Sequence, residues 1–288
     1  MTGGLVEHLT FMNGCAARVP FRALLPAVAA AGFDAISLWP NVWRHALRRD
    51  GLTLAAMRSM LDDHGLGVAD CDSCRDWIPG PDGAALALPG PAADRREIFE
   101  VCAALGAGTV VAVHHGSGGL VLDRDAAAFA ALCDDAAEHG LRVALEFIPF
   151  TPVPDVATAW SLIDAAGRPN GGMVFDVWHH VRSGAHDGLP DTVPAARIFT
   201  VQLADGPLEP PGPDLEEEAR SGRLPPGAGQ MGLARLLRIL RERGVRAAVG
   251  PELALPTHAR PLEALIAEVA AATRSVLAAA EVKTRPAV

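Results

Sequence analysis

The chain has 288 residues, 50% of them hydrophobic and 20% charged, with a formal net charge of -9. That length supports one large domain with a substantial core. The acidic balance argues against nucleic acid as a partner, while leaving local arginine clusters free to meet an anionic small substrate. No apolar run approaches the roughly 20 residues of a membrane helix, and the first residues lack a basic-plus-apolar export pattern. The expected setting is therefore soluble and cytoplasmic, without a membrane partner.

In chain order, apolar strand-like segments fall near Glu7–Met12, Phe33–Leu38, Gly67–Cys71, Thr109–His114, Arg142–Phe147, Gly172–Asp176, Ile198–Leu203 and Arg246–Leu253. Amphipathic patterns predict helices over Phe21–Ala31, Thr53–His64, Asp94–Leu105, Asp125–His139, Val156–Ala166, Leu233–Arg243 and Leu262–Ala280. Gly32, Gly65, Gly106, Gly140 and Gly244 each stand where a helix would end and a strand begin. Eight strands alternating with helices predict an α/β chain, a TIM-like (β/α)8 barrel forming a single domain over residues 1–282, with 283–288 as a C-terminal tail. The stretch after Asp176 is short and rich in Gly and Pro, and no helix is expected there. By contrast, the connection from Asp205 to Met231 is long enough to be expected as a cover over a site.

Five scattered cysteines, Cys15, Cys71, Cys74, Cys102 and Cys133, do not form a secreted disulfide framework. The Cys71/Cys74 pair lacks a second CxxC and reads as ordinary thiols at a strand end. Lys283 is the sole lysine and there is no tyrosine, which disfavours a buried Schiff-base lysine and removes phenolic acid–base chemistry.

Four late strands end in groups able to ligate a divalent metal: VALEF in Glu146, MVFDVWHH in Asp176 and His179, FTVQLAD in Gln202, and VGPEL in Glu252. Carboxylates gathered at the carboxyl ends of parallel strands are a pattern of enzymes, because that face of a barrel carries the chemistry. Arg182, and Arg220 and Arg223 in the long loop, are candidates to meet a substrate carboxylate, phosphate or hydroxyl. His8, His114 and Trp39 fall at early strand ends as candidate cavity-lining residues, whereas His115, His180 and His186 are less securely placed.

Through LEF, FDVWHH, VQLAD, the PPGAGQMGL loop and PEL, nearly the whole chain resembles the sugar phosphate isomerase/epimerase superfamily of xylose-isomerase-like barrels. The resemblance implies one divalent metal ion (Mn, Co, Mg or Zn) held by Glu146, Asp176, Gln202 and Glu252. It also matches His179 to the histidine of a D-x-x-H motif. Many epimerase-like members carry histidine where this chain has Gln202, and the Glu/Asp/Gln/Glu set resembles 3-dehydroshikimate dehydratases of the same superfamily. Glutamine ligates through its carbonyl oxygen and makes a harder, oxygen-rich site.

The residues and the resemblance together lead to an enzyme that removes a proton alpha to a carbonyl, with Glu146, Glu252 and His179 as catalytic candidates. Reprotonation gives an isomerase or epimerase acting on a small polyhydroxylated keto substrate, a sugar or cyclitol. Expulsion of a β-hydroxyl gives a dehydratase or related lyase. A non-catalytic sugar-binding or scaffold protein is a further alternative, and an endonuclease is disfavoured by the acidic chain. Assembly as a homo-oligomer is compatible with the sequence.

Overall fold

A computed structural model describes residues 4–78, 94–116, 118–185 and 188–281. The expected tail at 283–288, which contains Lys283, lies outside the described residues, and so does His186. Strands β1 (Val6–Phe11), β2 (Ala35–Leu38), β3 (Gly67–Cys74), β4 (Thr109–Val113), β5 (Arg142–Glu146), β6 (Gly171–Asp176), β7 (Ile198–Leu203) and β8 (Ala247–Pro251) pair in parallel and in order. The pairing of β8 with β1 closes the barrel, giving a single (β/α)8 domain.

Around it run α1 (Phe21–Ala30), α2 (Pro40–Arg48), α3 (Leu54–Asp63), α4 (Arg95–Leu105), α5 (Leu122–Ala137), α6 (Val156–Ala166), α7 (Val177–Arg182), the short α8 (Leu215–Glu217), α9 (Leu233–Glu242) and α10 (Leu262–Glu281). No helix among the described residues is long and apolar enough to cross a membrane.

Period-two alternation along the strands separates two buried layers. Outward residues such as Val110, Ala112, Leu145, Phe175, Val201 and Leu203 join the main core beneath the helices. Inward residues Val111, Val113, Ala144 and Val174 pack together with Ile148 as a smaller cluster inside the barrel, joined by Phe199, the extra residue where the β6–β7 register shifts. Polar inward groups sit among them: Thr200 of β7 donates to Asp70 of β3 at 3.3 Å across the interior. Continuing the same face toward the strand ends brings Ala144 to Glu146, Val174 to Asp176 and Thr200 to Gln202. Register then aligns Glu146 with Val174 and Asp176 with Gln202.

All five glycines expected at helix ends have positive φ, Gly106 being the left-handed C-cap of α4 at +75°. Three helices differ from the sequence reading, one of them the short α8 inside the long connection. α2 begins with Pro40 at its first turn, a position where the missing N–H costs no helical bond. α7 forms where no helix was expected, because Asp176 caps it by accepting from the His179 backbone N–H at 2.9 Å. β3 also extends to Cys74, three residues beyond the expected end. All five cysteines are free and buried.

The connection from Asp205 to Met231 is ordered around one side chain. Asp205 is 2% exposed and accepts from Gly206 N at 2.9 Å, Met231 N at 3.0 Å and Gly227 N at 3.0 Å. Its backbone pairs with Leu224 in an antiparallel bridge. Both ends of the excursion are thus clamped at the end of β7, beside Gln202.

Candidate metal centre

Glu146 is the last residue of β5, Asp176 the last of β6, and His179 lies one helical turn along α7, which Asp176 itself caps. One donor atom from each falls within 4.8 Å of the other two, and all three residues are buried. Gln202, one strand on, is 2% exposed, and its side-chain carbonyl oxygen has no hydrogen-bond partner. Glu252 follows β8, its backbone N–H bonded to Leu203 O at 2.9 Å, and one of its carboxylate oxygens is buried without a partner. Unpartnered buried acceptors are costly unless something satisfies them. An oxygen-rich set with two such orphans fits a hard or borderline divalent cation.

The protein's own cation here is Arg223, delivered by the long loop. Its guanidinium donates to Asp176 Oδ2 at 2.9 Å and to Glu252 O at 3.0 Å, lies 3.0 Å from His179 Nε2, and stacks over Trp178 at 4.7 Å. These contacts set the ionisation pattern. Burial alone raises the Asp176 carboxyl, but Arg223 and His179 outweigh it and hold the group below its ordinary range. Burial, with the nearby Asp176 charge adding and Arg223 opposing, lifts Glu146 to about 8. Glu252 is likewise raised, by burial first and by Asp72 next. Burial, aided by Arg223 against Asp176, lowers His179 to about 3. A neutral imidazole follows, so its approaches to Glu146 (3.5 Å) and Asp176 (3.7 Å) are polar contacts rather than ion pairs. Two carboxyls that favour the proton, beside one that does not, are the raw material for acid–base work.

The other sequence candidates take different places. Arg182 is buried and turned away into the loop, donating to both Glu218 oxygens (2.9 and 2.5 Å) and to the carbonyls of Pro207 and Leu208. Arg220 is exposed and paired with Glu216 and Glu217. His8 is exposed in the first half of β1, toward the end of the barrel opposite the Glu146 cluster. His114 faces outward to Asp125 of α5 at 3.5 Å and meets Trp77 edge to face. Trp39 begins α2 at the mouth, near enough to Gly14 that a Cβ there would lie 2.8 Å from its ring. That same Cβ would lie 2.1 Å from Glu252 Oε1, so Gly14 provides the space in which this carboxylate sits.

Asp70 and Asp72 were not singled out from the sequence, yet both are buried on the inward face of β3. Burial raises Asp72 well above the carboxylate range, with Glu146 and Asp70 adding and the Trp39 indole opposing. The signal lies in VADCDSC, where Asp70 and Asp72 alternate with Cys71 and so share one face of the strand.

A closed eight-stranded parallel barrel with a metal-competent cluster at its carboxyl ends defines a class, and residues 25–276 match the family described as xylose isomerase-like TIM barrel. The chain belongs to that family. It is 33% identical over 129 residues to an inosose isomerase of Halalkalibacterium halodurans, covering 44% of each chain. It is 29% identical over 256 residues to a 3-dehydroshikimate dehydratase of Pseudomonas aeruginosa, covering 84% of this chain and 38% of that protein. These two matches therefore span less than half the length of the relatives concerned. A putative hydroxypyruvate isomerase of Streptomyces coelicolor is 29% identical over 247 residues, 78% of this chain and 82% of that one. Among solved structures, the IOLI protein with a binding zinc atom superposes with a TM-score of 0.78 at 20% identity, over 94% of this chain and 98% of that one. At that identity the likeness speaks for the fold.

Proposed function

We propose that the protein is a divalent-metal-dependent isomerase or epimerase of a small polyhydroxylated keto compound, a sugar or cyclitol, and that its first chemical step removes a proton alpha to the carbonyl. The observation that carries this reading is the convergence of Glu146, Asp176 and His179 at the strand ends, with orphan oxygens on Gln202 and Glu252. Glu146, Asp176, Gln202 and Glu252 would hold the ion. A divalent cation there supplies electron withdrawal from a carbonyl oxygen, which lowers the cost of losing the neighbouring C–H proton.

Glu146 and Glu252 could each ligate with one carboxylate oxygen and use the other to accept a proton from carbon and return it. His179, neutral and beside Glu146, can donate to or accept from the reacting oxygen. Arg223 fixes Asp176 and His179 relative to one another, and with Trp178 it closes the mouth beside them. Excluding water there protects the carbanion equivalent from uncontrolled protonation.

Dehydration is the second reading. Gln202 in place of histidine favours it, as does the dehydratase relative aligned over 84% of this chain. Both readings share the proton removal and separate at the next bond. Incubation of metal-loaded protein with ketoses, inososes and 3-dehydroshikimate, followed by mass analysis, tests them. A product of unchanged formula supports the isomerase, a product lighter by one water supports the lyase, and no conversion of any keto substrate refutes both.

A further inference from the structure

Away from the strand-end cluster, a cavity of about 290 Å³ lies between two connections that leave early strands. One wall is the segment after β1, with Arg18, Val19 and Pro20; the other is the first half of α2, with Asn41, Val42 and His45. None of these residues belongs to the metal-competent set. Hydrogen bonds fix the spacing of the walls: Asn41 donates its side-chain N–H to Ala17 O at 2.8 Å, and Asn13 Oδ1 accepts the Trp39 backbone N–H at 3.3 Å. The Val19 N–H closes a turn on Ala16 O at 2.9 Å. The cavity is therefore held open by the fold itself.

Its electrostatics run against those of the whole chain. The protein carries a formal charge of -9, yet the lining contains Arg18 and His45 and, among the described residues, no carboxylate. Arg18 forms no ion pair with a described residue, so a fixed charge and five N–H donors are left for another partner. Asp50 meets His45 Nε2 at 3.4 Å from outside the lining. Both walls also run into helix starts. Pro20 precedes α1 and Pro40 opens α2, and neither helix has a capping side chain or an acidic residue in its first turn. By contrast, Thr53, Asp94 and Asp155 cap α3, α4 and α6. The positive ends of α1 and α2 thus add to the charge of Arg18.

Size narrows the occupant. About 290 Å³ falls at the lower end of ligand pockets, which span roughly 300–1,000 Å³, so the ligand is compact. Val19, Pro20 and Val42 leave room for a few carbons beside a charged head. An uncharged polyol would offer Arg18 little that water does not already offer, whereas an oxyanion supplies the missing counter-charge.

We infer that the cavity between the β1–α1 connection and α2 is a binding site for a small oxyanion, a phosphate or carboxylate compound of a few carbons, separate from the strand-end cluster. Arg18 supplies the fixed charge and His45 a ring N–H. The site stands whether or not the proposed reaction does.

The test titrates the chelated, isotope-labelled full chain with inorganic phosphate and, separately, with acetate, at ionic strength held constant with sodium chloride. Saturable shifts in the backbone signals of residues 17–20 and 41–45 are expected with at least one anion, and the tighter of the two identifies the head group. Arg18→Ala should weaken that binding about tenfold or more, the scale of one hydrogen bond to a charged group, while Arg18→Lys keeps part of it. His45→Glu puts a carboxylate into the lining and should abolish binding. Both side chains are exposed, so neither change threatens the fold, and unchanged thermal unfolding serves as the control. No saturable shift with either anion, or an affinity that Arg18→Ala leaves unchanged, overturns the site. Shifts confined to Glu146, Asp176 and His179 overturn it as well, by moving the anion to the strand-end cluster.

Discussion

The buried pair between Arg182 and Glu218 offers a quantitative test of how the long loop is held over the mouth. Their side chains are 1% and 4% exposed, and Arg182 adds bonds to Pro207 O and Leu208 O. Deleting one member of such a pair strands a buried charge, at a cost of about 3–5 kcal/mol. In Glu218→Leu, the guanidinium retains its two carbonyl partners and the Trp178 ring face but no counter-charge; in Arg182→Met, the Glu218 carboxylate loses its guanidinium. Because the pair joins α7 to the loop and not to the barrel core, the loss should appear as local opening of residues 206–230, raised roughly 10²- to 10⁴-fold.

Amide hydrogen exchange of peptides from that loop measures this directly, with thermal unfolding as the control for the barrel. The double variant Arg182→Met/Glu218→Leu removes both charges and should recover about 2 kcal/mol or more relative to the sum of the single changes. Additive single effects, or single variants whose loop exchange moves less than about threefold, would refute the assignment of this pair as the loop's anchor.

Asp70 carries a prediction about pH. Burial raises its pKa to about 6, against the bonds from Ser37 and Thr200 that lower it. The folded chain then holds a proton that the unfolded chain has released, so between about pH 4 and 6 this group's contribution to stability declines as pH rises, by about 3 kcal/mol in total. Asp70→Asn should flatten that slope and stabilise the chelated protein at pH 7, as read from urea unfolding between pH 4 and 8; an unchanged slope contradicts it. For Gly14→Ala, the new Cβ meets Glu252 Oε1 at 2.1 Å and the carboxylate has to move. The expected result is metal affinity weakened about 10- to 100-fold, on the scale of lost supporting contacts at metal sites, with little change in thermal stability. Wild-type metal affinity would show that Glu252 takes no part in the site.

Much of this architecture was legible because the decisive signals are local. Strand alternation and helix-ending glycines such as Gly106 depend on a few neighbouring residues, and they placed all eight strands in order. α7 was missed because its stability comes from Asp176 acting as cap, a role hidden by reading that residue only as a metal donor. The three candidate arginines had equal standing in sequence. Only tertiary placement separates Arg223, inside the cluster, from Arg182, which anchors the loop, and from Arg220 on the surface. His114, expected as a cavity-lining residue, instead faces Asp125 of α5, a pairing across about ten residues that strand patterning alone does not reveal. Asp70 and Asp72 were readable by strand alternation.

The central claim is that the strand-end carboxylates hold a divalent ion and that proton removal alpha to a carbonyl depends on it. It is tested most directly by following the alpha C–H signal of a panel of ketoses and inososes by proton NMR in deuterated water. Chelated protein, protein reloaded with Mg, Mn, Co or Zn, and reloaded Glu146→Gln should be compared side by side. The account predicts loss of the alpha proton signal of at least one substrate with reloaded wild-type protein, and none with chelated protein or the variant. Product formation that retains the alpha proton, or exchange that survives complete metal removal, would contradict it.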